Sequence, residues 1–456
     1  MEQETVLHIE GTVEQVLYRN EQNGYTVLDL DANGTLITVV GELGDVEEGE
    51  QLSVDGTYVN HVRFGVQFQA QYVERKLPED AINIQRYLSS GVIKGIGSAL
   101  AKKIVTAFGS QTLEIMEKQP TRLMEIRGIS PKKCEAIAQE VQKIFALRSL
   151  MLFLQQYNIR SRYAMRAYQC YGSGAKEMIL ANPYLLCGMG IELPFEKAEI
   201  LADDLKVPKN AEQRILAGTC YILEHNTHNG YTCLPLDRLQ PKVCEYLQVS
   251  ESEFLSAYQA AQKEGNLVSY QKETREFVYL PAYYEAEQYI ADRIGVLRDF
   301  SAPEDQEIYL DLIKREETEQ GIQYAELQRK AILSALSRGL LILTGGPGTG
   351  KTTTLNGMIS LFEKQGYQVM LAAPTGRAAQ RISDLTGYEA KTIHRLLEVE
   401  FDMAGATKFR HNESNPLTCD VMIVDEMSMV DVLLFESLLR ALRFSCKLIM
   451  VGDSDQ

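Results

Sequence analysis

The chain has 456 residues, enough for about three or four domains. Hydrophobic residues make up 45% and charged residues 24%, which is typical of a folded globular protein and excludes a disordered one. The formal net charge of −16 excludes a protein that binds nucleic acid through an overall basic surface, so any such contact must be local.

The eight cysteines and the first residues indicate a cytoplasmic protein. The cysteines lie in apolar segments without a Cys-x-x-Cys pair, as expected for reduced, buried thiols. Residues Met1–Glu10 lack the basic and then apolar pattern of a signal peptide. No segment approaches the ~20 apolar residues that cross a membrane, so we expect no membrane association.

Residues 1–76 are predicted to form a small β-barrel of the OB type. Short stretches rich in Val, Thr and Tyr alternate in part between apolar and polar residues. Two hairpin-type dipeptides, Asn23-Gly24 and Asn33-Gly34, lie between these stretches. About five strands in ~70 residues are typical of a small closed barrel.

Residues 77–209 are predicted to be a helical region with helix-hairpin-helix turns. Imperfect copies of one pattern lie at Val92–Ala101, Met124–Lys133 and, more weakly, Tyr157–Ser161. Such a turn brings backbone N–H groups close to a phosphate, so Gly95 and Gly97 are candidate DNA contacts. A plain helix corner with a glycine C-cap is the alternative. Ser130 replaces a glycine in the second copy, where both interpretations stay open.

Residues 210–300 mix helices with short strands in an arrangement that resembles a winged helix. Residues 301–456 alternate helices with continuous apolar runs, which mark strands buried on both faces of a parallel sheet. These runs are Leu340–Leu343, Val369–Ala373, Val421–Val424 and Leu448–Val451. We therefore predict an open α/β domain at the end of a multidomain chain.

The segment GGPGTGKT follows the first of these strands and matches the phosphate-binding loop G-x-x-x-x-G-K-[ST]. In such a loop Lys351 reaches the β- and γ-phosphates of ATP, and the Thr352 hydroxyl ligates Mg²⁺. Gln328 precedes the strand and is a candidate for reading adenine. The candidate nucleotide-binding residues are Gln328, Gly345, Gly346, Pro347, Gly348, Thr349, Gly350, Lys351, Thr352 and Thr353.

Two further strand ends supply catalytic candidates beside Lys351. One apolar strand ends in Asp425, which would hold Mg²⁺ with Thr352, and in Glu426, which would act as general base on the attacking water. Another is followed by GDSDQ, whose Gln456 is a candidate contact to the γ-phosphate.

The segment after the strand Val369–Ala373 offers a tight turn, a hydroxyl, exposed backbone and one guanidinium. These groups suit a phosphodiester backbone without reading bases. The candidate DNA contacts of this domain are Pro374, Thr375, Gly376, Arg377 and His394. For His394, a core position is an equally open alternative.

Taken in order, Gln328, GGPGTGKT, APTGRAA, VDE and GDSDQ resemble superfamily 1 helicases, and the forms TGRAA and GDSDQ resemble the RecD-like branch. The segments EGTVEQVLYRNEQNGYTVL and GVIKGIGSALAKKIV resemble the extension of long bacterial RecD-like helicases. The resemblance implies ATP-driven movement 5′ to 3′ along single-stranded DNA, action at single- to double-strand junctions, and a role in DNA repair or recombination.

The resemblance implies that residues 301–456 form a RecA-like α/β P-loop domain, the first motor lobe. The family also has a second RecA-like domain, which supplies arginine fingers worth ~10³–10⁵ in rate. Because the chain ends at Gln456, we expect a fragment that binds nucleotide weakly, hydrolyses it barely and does not unwind a duplex. Protein partners are not predicted.

Two other functional classes stay open. A small-molecule kinase would need an acceptor pocket and a lid, and the sequence suggests neither. A DNA-binding regulatory module, whose P-loop binds nucleotide without productive hydrolysis, is the second. The effect of Glu426→Gln on DNA-stimulated hydrolysis separates that module from a helicase.

Overall fold

The computed structural model describes residues 7–20, 25–43, 46–61, 64–299, 306–346, 348–401 and 407–453. They divide into two compact units, the first ending at Val207 and the second beginning at Pro208. Within these residues, no helix combines the length and the apolar character needed to cross a bilayer.

The first five strands close into a barrel in the order β1-β2-β3-β5-β4. They are β1 Leu7–Arg19, β2 Tyr25–Ala32, β3 Thr35–Glu42, β4 Gln51–His61 and β5 Gly65–Lys76. Strands β3 and β5 pair in parallel, and the other neighbours are antiparallel. Alternate side chains such as Leu28 and Leu30 fill the interior. The predicted OB-type barrel is confirmed.

The turn between β2 and β3 is the predicted Asn33-Gly34 hairpin. Both residues have a positive φ, 56° and 86°, as a two-residue turn with the twist of the flanking strands requires. Ala32 pairs with Thr35 directly across it. The other predicted turn, Asn23-Gly24, lies outside the described residues.

The rest of the first unit is helical. Its α-helices are α1 Ala81–Ser89, α2 Ser98–Phe108, α3 Thr112–Lys118, α4 Pro131–Gln155, α5 Ser161–Tyr171, α6 Ala175–Ala181 and α7 Phe195–Asp204. Short 3-10 helices lie at Gly109–Gln111, Pro120–Glu125, Gly172–Gly174 and Pro183–Cys187. The first helices pack around one apolar core that includes Ile84, Ile104 and Ile137.

Four turns in this helical region share one local design, a residue with positive φ followed by a buried isoleucine. They are Gly95-Ile96, Gly128-Ile129, Asn158-Ile159 and Gly190-Ile191. In the first three, a helix begins two residues after the isoleucine. The third copy is hard to see in the sequence because asparagine, which tolerates the left-handed region, replaces the glycine.

A buried carboxylate connects the barrel to the helices. Glu50 is fully buried, and Arg75 donates to both of its oxygens, Nε to Oε2 at 2.9 Å and Nη2 to Oε1 at 2.6 Å. Arg148 of α4 lies 3.6 Å from the same carboxylate. Burial, with the Glu50 charge nearby, raises the pKa of Tyr87 in α1 to about 12.

Replacing Glu50 with glutamine leaves two guanidinium groups without their counter-charge. Breaking a buried pair costs about 3 kcal/mol, so we expect faster hydrogen exchange in β4, β5 and α1. Glu114→Gln is the control, because its pair with Lys118 is exposed and worth less than ~1 kcal/mol. Unchanged exchange rates in Glu50→Gln would show that the ion pair does not stabilise this unit.

The second unit begins with a small domain of helices and strands. Its elements are α8 Glu212–Thr227, β6 Cys233–Pro235, α9 Leu236–Leu247, α10 Glu251–Lys263, β7 Val268–Lys272 and β8 Arg275–Tyr279. The three strands form an antiparallel sheet in the order β6-β8-β7. This helix, strand, helix, helix, strand, strand order is that of the predicted winged helix.

An open α/β layer follows. Its helices are α11 Pro281–Asp299, α12 Gln306–Gln320, α13 Glu326–Ser337, α14 Lys351–Lys364, α15 Gly376–Thr386, α16 Ile393–Leu397 and α17 Val432–Ala441, with a 3-10 helix at Met427–Met429. Its strands are β9 Leu340–Thr344, β10 Val369–Ala373, β11 Ala390–Thr392, β12 Val399–Phe401, β13 Thr407–Phe409, β14 Val421–Val424 and β15 Lys447–Gly452. Strands β12 and β13 form a separate antiparallel pair.

Five of these strands form one parallel sheet in the order β11-β10-β14-β15-β9. Strand β14 is buried along its whole length, as its continuous apolar run predicts. For β9 that prediction is wrong, because β9 is the edge strand of this sheet and Ile342 is 62% exposed. The predicted α/β P-loop layer is otherwise present.

The cysteines are less uniformly buried than predicted. All eight are free thiols, and Cys134, Cys419 and Cys446 are buried. Cys170 is exposed because it faces outward near the end of α5, and the remaining four are half-buried.

Candidate nucleotide site and nucleic-acid interface

The parallel sheet gathers the predicted residues at one edge. The P-loop follows β9, the Asp425–Glu426 pair follows β14, and Gly452 ends β15. Pro374 follows β10 at the same edge, and His394 lies just after β11. Ligands of open α/β sheets bind at the carboxyl ends of the strands, so this edge is the expected place for a site.

The P-loop needs its glycines for two separate reasons. Gly348 and Gly350 have φ angles of 75° and 83°, in the left-handed region that other residues avoid. A Cβ atom on Gly350 would also overlap the Gln328 amide nitrogen, and one on Gly345 would lie 2.7 Å from Thr349 Oγ1. Any larger residue at Gly350 would therefore meet both backbone strain and a neighbouring side chain.

The side chains of the loop fit an anionic ligand. The Lys351 ammonium donates to the carbonyl oxygen of Gly345, inside the curve of the loop. Thr349 Oγ1 donates to the carbonyl of Gly346 at 2.9 Å, which closes the turn. A lysine ammonium paired only with a neutral carbonyl, in a loop rich in glycine, suits phosphate oxygens.

A cleft of about 310 Å³ lies over the loop. The described residues that line it are Gly346, Gly348, Thr349, Gly350, Lys351, Thr352, Leu355, Arg381, Ile382, Leu385, Thr386, Asp425, Glu426, Val451, Gly452 and Asp453. The structure thus brings the predicted lysine, threonine and both carboxylates to one cleft. Thr353, exposed on the first turn of α14, does not line it. Pro347 and Gln456 lie outside the described residues.

The two carboxylates emerge where β14 leaves the core. The Asp425 backbone N–H still donates to Ala372 of β10 at 2.9 Å, which continues the sheet. Glu426 then turns sharply, with φ 51° and ψ 44°, and the 3-10 helix begins. Its carboxylate Oε1 lies 3.7 Å from Nη1 of Arg381 on α15. Sequence analysis missed Arg381, although its spacing of four from Arg377 indicates a shared helix face.

Gln328 contacts the P-loop directly. Its Oε1 accepts from the Ala325 N–H at 2.9 Å, at the start of α13. Its Nε2 donates to the carbonyl of Gly350 at 3.4 Å. The structure therefore holds Gln328 between a helix start and the P-loop, although Gln328, like Gly345, does not itself line the cleft.

The strand candidates lie at two neighbouring helix starts. Thr375 caps α15, its Oγ1 accepting from the Ala378 N–H at 3.2 Å, and Thr392 caps α16 in the same way. Ala373 of β10 pairs with Thr392, so the two helix starts are adjacent. Arg377 is exposed on the first turn of α15, and no ion pair involves it in the part of the chain that the structure describes.

His394 is accessible rather than buried. The side chain is exposed on α16, and its ring centre lies 6.0 Å from that of Phe409. The alternative of a core histidine is therefore excluded.

The first helix-hairpin-helix turn leaves its helix start open. Gly97 is the N-cap of α2 and makes no side-chain hydrogen bond, and Gly95 has a φ of 94°. In the second copy Ser130 Oγ accepts from the Lys133 N–H, and Pro131 has no N–H. The first copy therefore has more free donors for a phosphate than the second.

Charge is divided unevenly within the first unit. Residues 86–143 contain ten basic and five acidic side chains, a net charge of +5. Residues 1–76 contain four basic and fourteen acidic side chains, a net charge of −10. A local basic region is thus present despite the acidic total, and it coincides with the helix-hairpin-helix turns.

Comparison with known protein families matches four segments of the chain. Residues 6–78 match the OB-fold domain of the ATP-dependent DNA helicase YrrC. Residues 86–143 match the SAM-like helix-hairpin-helix tandem, and residues 143–233 match the helix-hairpin-helix domain of the ATP-dependent RecD2 DNA helicase. Residues 328–456 match an AAA domain.

The sequences of individual relatives agree with these four family matches. The chain is 28% identical to the ATP-dependent RecD2 DNA helicase of Deinococcus radiodurans, over 98% of this chain and 64% of the relative. The chain is homologous to the RecD2 and RecD helicases. The RecBCD enzyme subunit RecD of Mycolicibacterium smegmatis is 42% identical over 29% of this chain and 27% of its own length. The ATP-dependent DNA helicase dda of phage T4 is 38% identical over 25% of this chain and 27% of its own length.

Alanine at Gly350 is expected to abolish nucleotide binding. Its Cβ would displace Gln328, and the left-handed backbone adds strain of about 1–2 kcal/mol. Gly366 at the other end of α14 is a matched control, because its φ of 81° is almost the same and a Cβ there meets no atom within 4 Å. Titration with a fluorescent ATP analogue measures binding by both variants. Equal loss of binding in Gly350→Ala and Gly366→Ala would show that the contact with Gln328 is not the cause.

Proposed function

We propose that this chain contains the ATP-binding motor lobe of a DNA helicase that moves 5′ to 3′ along single-stranded DNA. The observation that carries the proposal is the cleft in which Lys351 and Thr352 of the P-loop meet Asp425 and Glu426. The chain spans 64% of the RecD2 relative, so unwinding and a role in DNA repair or recombination are proposed for the whole protein.

The residues of the cleft divide the chemistry between them. Lys351 and the loop N–H groups would hold the phosphates, and Gln328 would contact adenine. Thr352 and Asp425 would hold Mg²⁺, which when bound neutralises charge on the phosphates. Glu426 would take a proton from the attacking water as general base.

DNA would be held at two places, one in each unit. The helix starts at Thr375 and Thr392, with the side chains of Arg377 and His394, would offer N–H groups and basic groups to a single strand. The Gly95–Gly97 turn would contact phosphates near a junction, supported by the +5 charge of residues 86–143. Neither place reads bases, which suits a motor that moves along any sequence. Domain limits at residues 76, 209 and 300, and a cytoplasmic location, stay predictions.

Lys351→Ala and Glu426→Gln separate binding from hydrolysis. We expect Lys351→Ala to weaken binding of an ATP analogue at least about tenfold, because it removes the charge that faces the phosphates. Glu426→Gln keeps binding and, in the whole protein, loses DNA-stimulated hydrolysis. If Glu426→Gln hydrolyses ATP normally, Glu426 is not the base, and a regulatory nucleotide-binding module becomes the better description.

Arg377→Ala is expected to weaken binding to oligothymidylate and to reduce the slope of log affinity against log salt by about one, as the loss of one phosphate contact requires. Arg298→Ala is the control, because this arginine is 71% exposed and pairs with its neighbour Asp299. Equal salt slopes for wild type and Arg377→Ala would remove Arg377 from the strand interface.

A further inference from the structure

Helix α15 forms one wall of the nucleotide cleft. The motifs and roles described so far involve only the start of this helix and not the residues that line the cleft. Four of its residues, Arg381, Ile382, Leu385 and Thr386, line the cleft. Within the described chain, Arg381 and Lys351 are the basic residues that line the cleft. Lys351 is at the P-loop, whereas Arg381 is beside Glu426.

The pair between Arg381 and Glu426 is a weak restraint. Nη1 and Oε1 are 3.7 Å apart, and the arginine side chain is 72% exposed while the carboxylate is 25% exposed. An ion pair so open to solvent contributes little stability. No other ion pair involves either side chain among the residues that the structure describes. The guanidinium is therefore held near Glu426 and is still able to move to a stronger anion.

A triphosphate would supply that stronger anion. The general base acts on a water that attacks the γ-phosphate, so a group in contact with Glu426 is also close to the γ-phosphate position. A guanidinium binds phosphate oxygens with two parallel hydrogen bonds, which a single carboxylate at 3.7 Å does not match. ADP has no phosphate at this position and would leave Arg381 with Glu426.

We propose that Arg381 senses the γ-phosphate, pairing with Glu426 in the nucleotide-free and ADP-bound cleft and moving to the γ-phosphate when ATP binds. This inference rests on the proposed nucleotide site. The exchange frees the Glu426 carboxylate for its role as base only when a triphosphate is present. It also gives α15 two nucleotide-dependent arrangements, one turn away from the candidate strand contact Arg377.

Binding measurements on the chain test the proposal without requiring hydrolysis. We expect Arg381→Ala to weaken binding of adenylyl-imidodiphosphate about three- to tenfold, which is the size expected for the loss of one charge-assisted contact screened by solvent. Binding of ADP should change less than about twofold. Arg381→Lys should retain part of the preference, because it keeps the charge but not the two-pronged geometry. Gln380→Ala is the control on the same helix, since Gln380 bonds Asp384 and does not line the cleft.

A double-mutant cycle gives a second readout. Glu426→Gln removes the competing carboxylate, so it should raise the affinity for the triphosphate analogue. In the Arg381→Ala background that gain should shrink, because there is no guanidinium left to release. A merely structural role for Arg381 would leave the two changes additive.

These measurements distinguish a failure of the proposed role of Arg381 from a failure of the proposed nucleotide site. Equal losses of ADP and analogue binding in Arg381→Ala, or no loss of either, would overturn the γ-phosphate role. Unchanged nucleotide binding in Lys351→Ala would overturn the nucleotide site itself. Thermal unfolding of each variant shows whether a loss reflects misfolding, and Arg381→Gln, which keeps a polar side chain but removes the charge, repeats the test if the alanine variant is unstable.

Discussion

The parallel alignment of five strands is the constraint on which the second unit depends. Parallel strands all end at the same edge, and here those ends carry the P-loop, the two carboxylates and the two capped helix starts. Glycine backbone at Gly348 and Gly350 then opens the loop, and the buried strand β14 delivers Asp425 and Glu426 opposite it. Without a shared strand direction, these side chains would be divided between opposite ends of the sheet.

Helix α15 connects the two candidate ligand sites. Its first turn carries the exposed Arg377, and its second turn carries Arg381 in the cleft. The two residues are four apart, about 6 Å along a helix that rises ~1.5 Å per residue. A helix this short is one rigid element, and it carries both residues. In the proposed mechanism, the nucleotide and the strand would therefore contact the same helix.

Patterns contained within a few neighbouring residues were predictable from the sequence. The P-loop, the Asn33-Gly34 hairpin and the alternating barrel strands each depend on local backbone preferences. Contacts between distant residues were not predictable: Glu50 with Arg148, and Glu426 with Arg381, meet only after folding. The exposure of β9 was missed because an apolar run does not show whether its strand is central or at an edge. The third hairpin copy gave only a weak signal in the sequence because Asn158 replaces the glycine, and its φ of 54° shows that the turn is the same.

The net charge of −16 is the sum over segments whose own net charges differ in sign. Residues 1–76, which contain the barrel, carry −10, and residues 86–143, which contain the first helix-hairpin-helix tandem, carry +5, within the same compact unit. A phosphodiester backbone gains from the release of counterions only where basic groups replace them. The acidic barrel repels such a backbone, so its OB fold does not by itself imply strand binding. The fold and the charge lead to different expectations for this domain. Because affinity for the phosphate backbone is electrostatic in origin, the charge favours the proposed DNA contacts at the helical turns and the sheet edge.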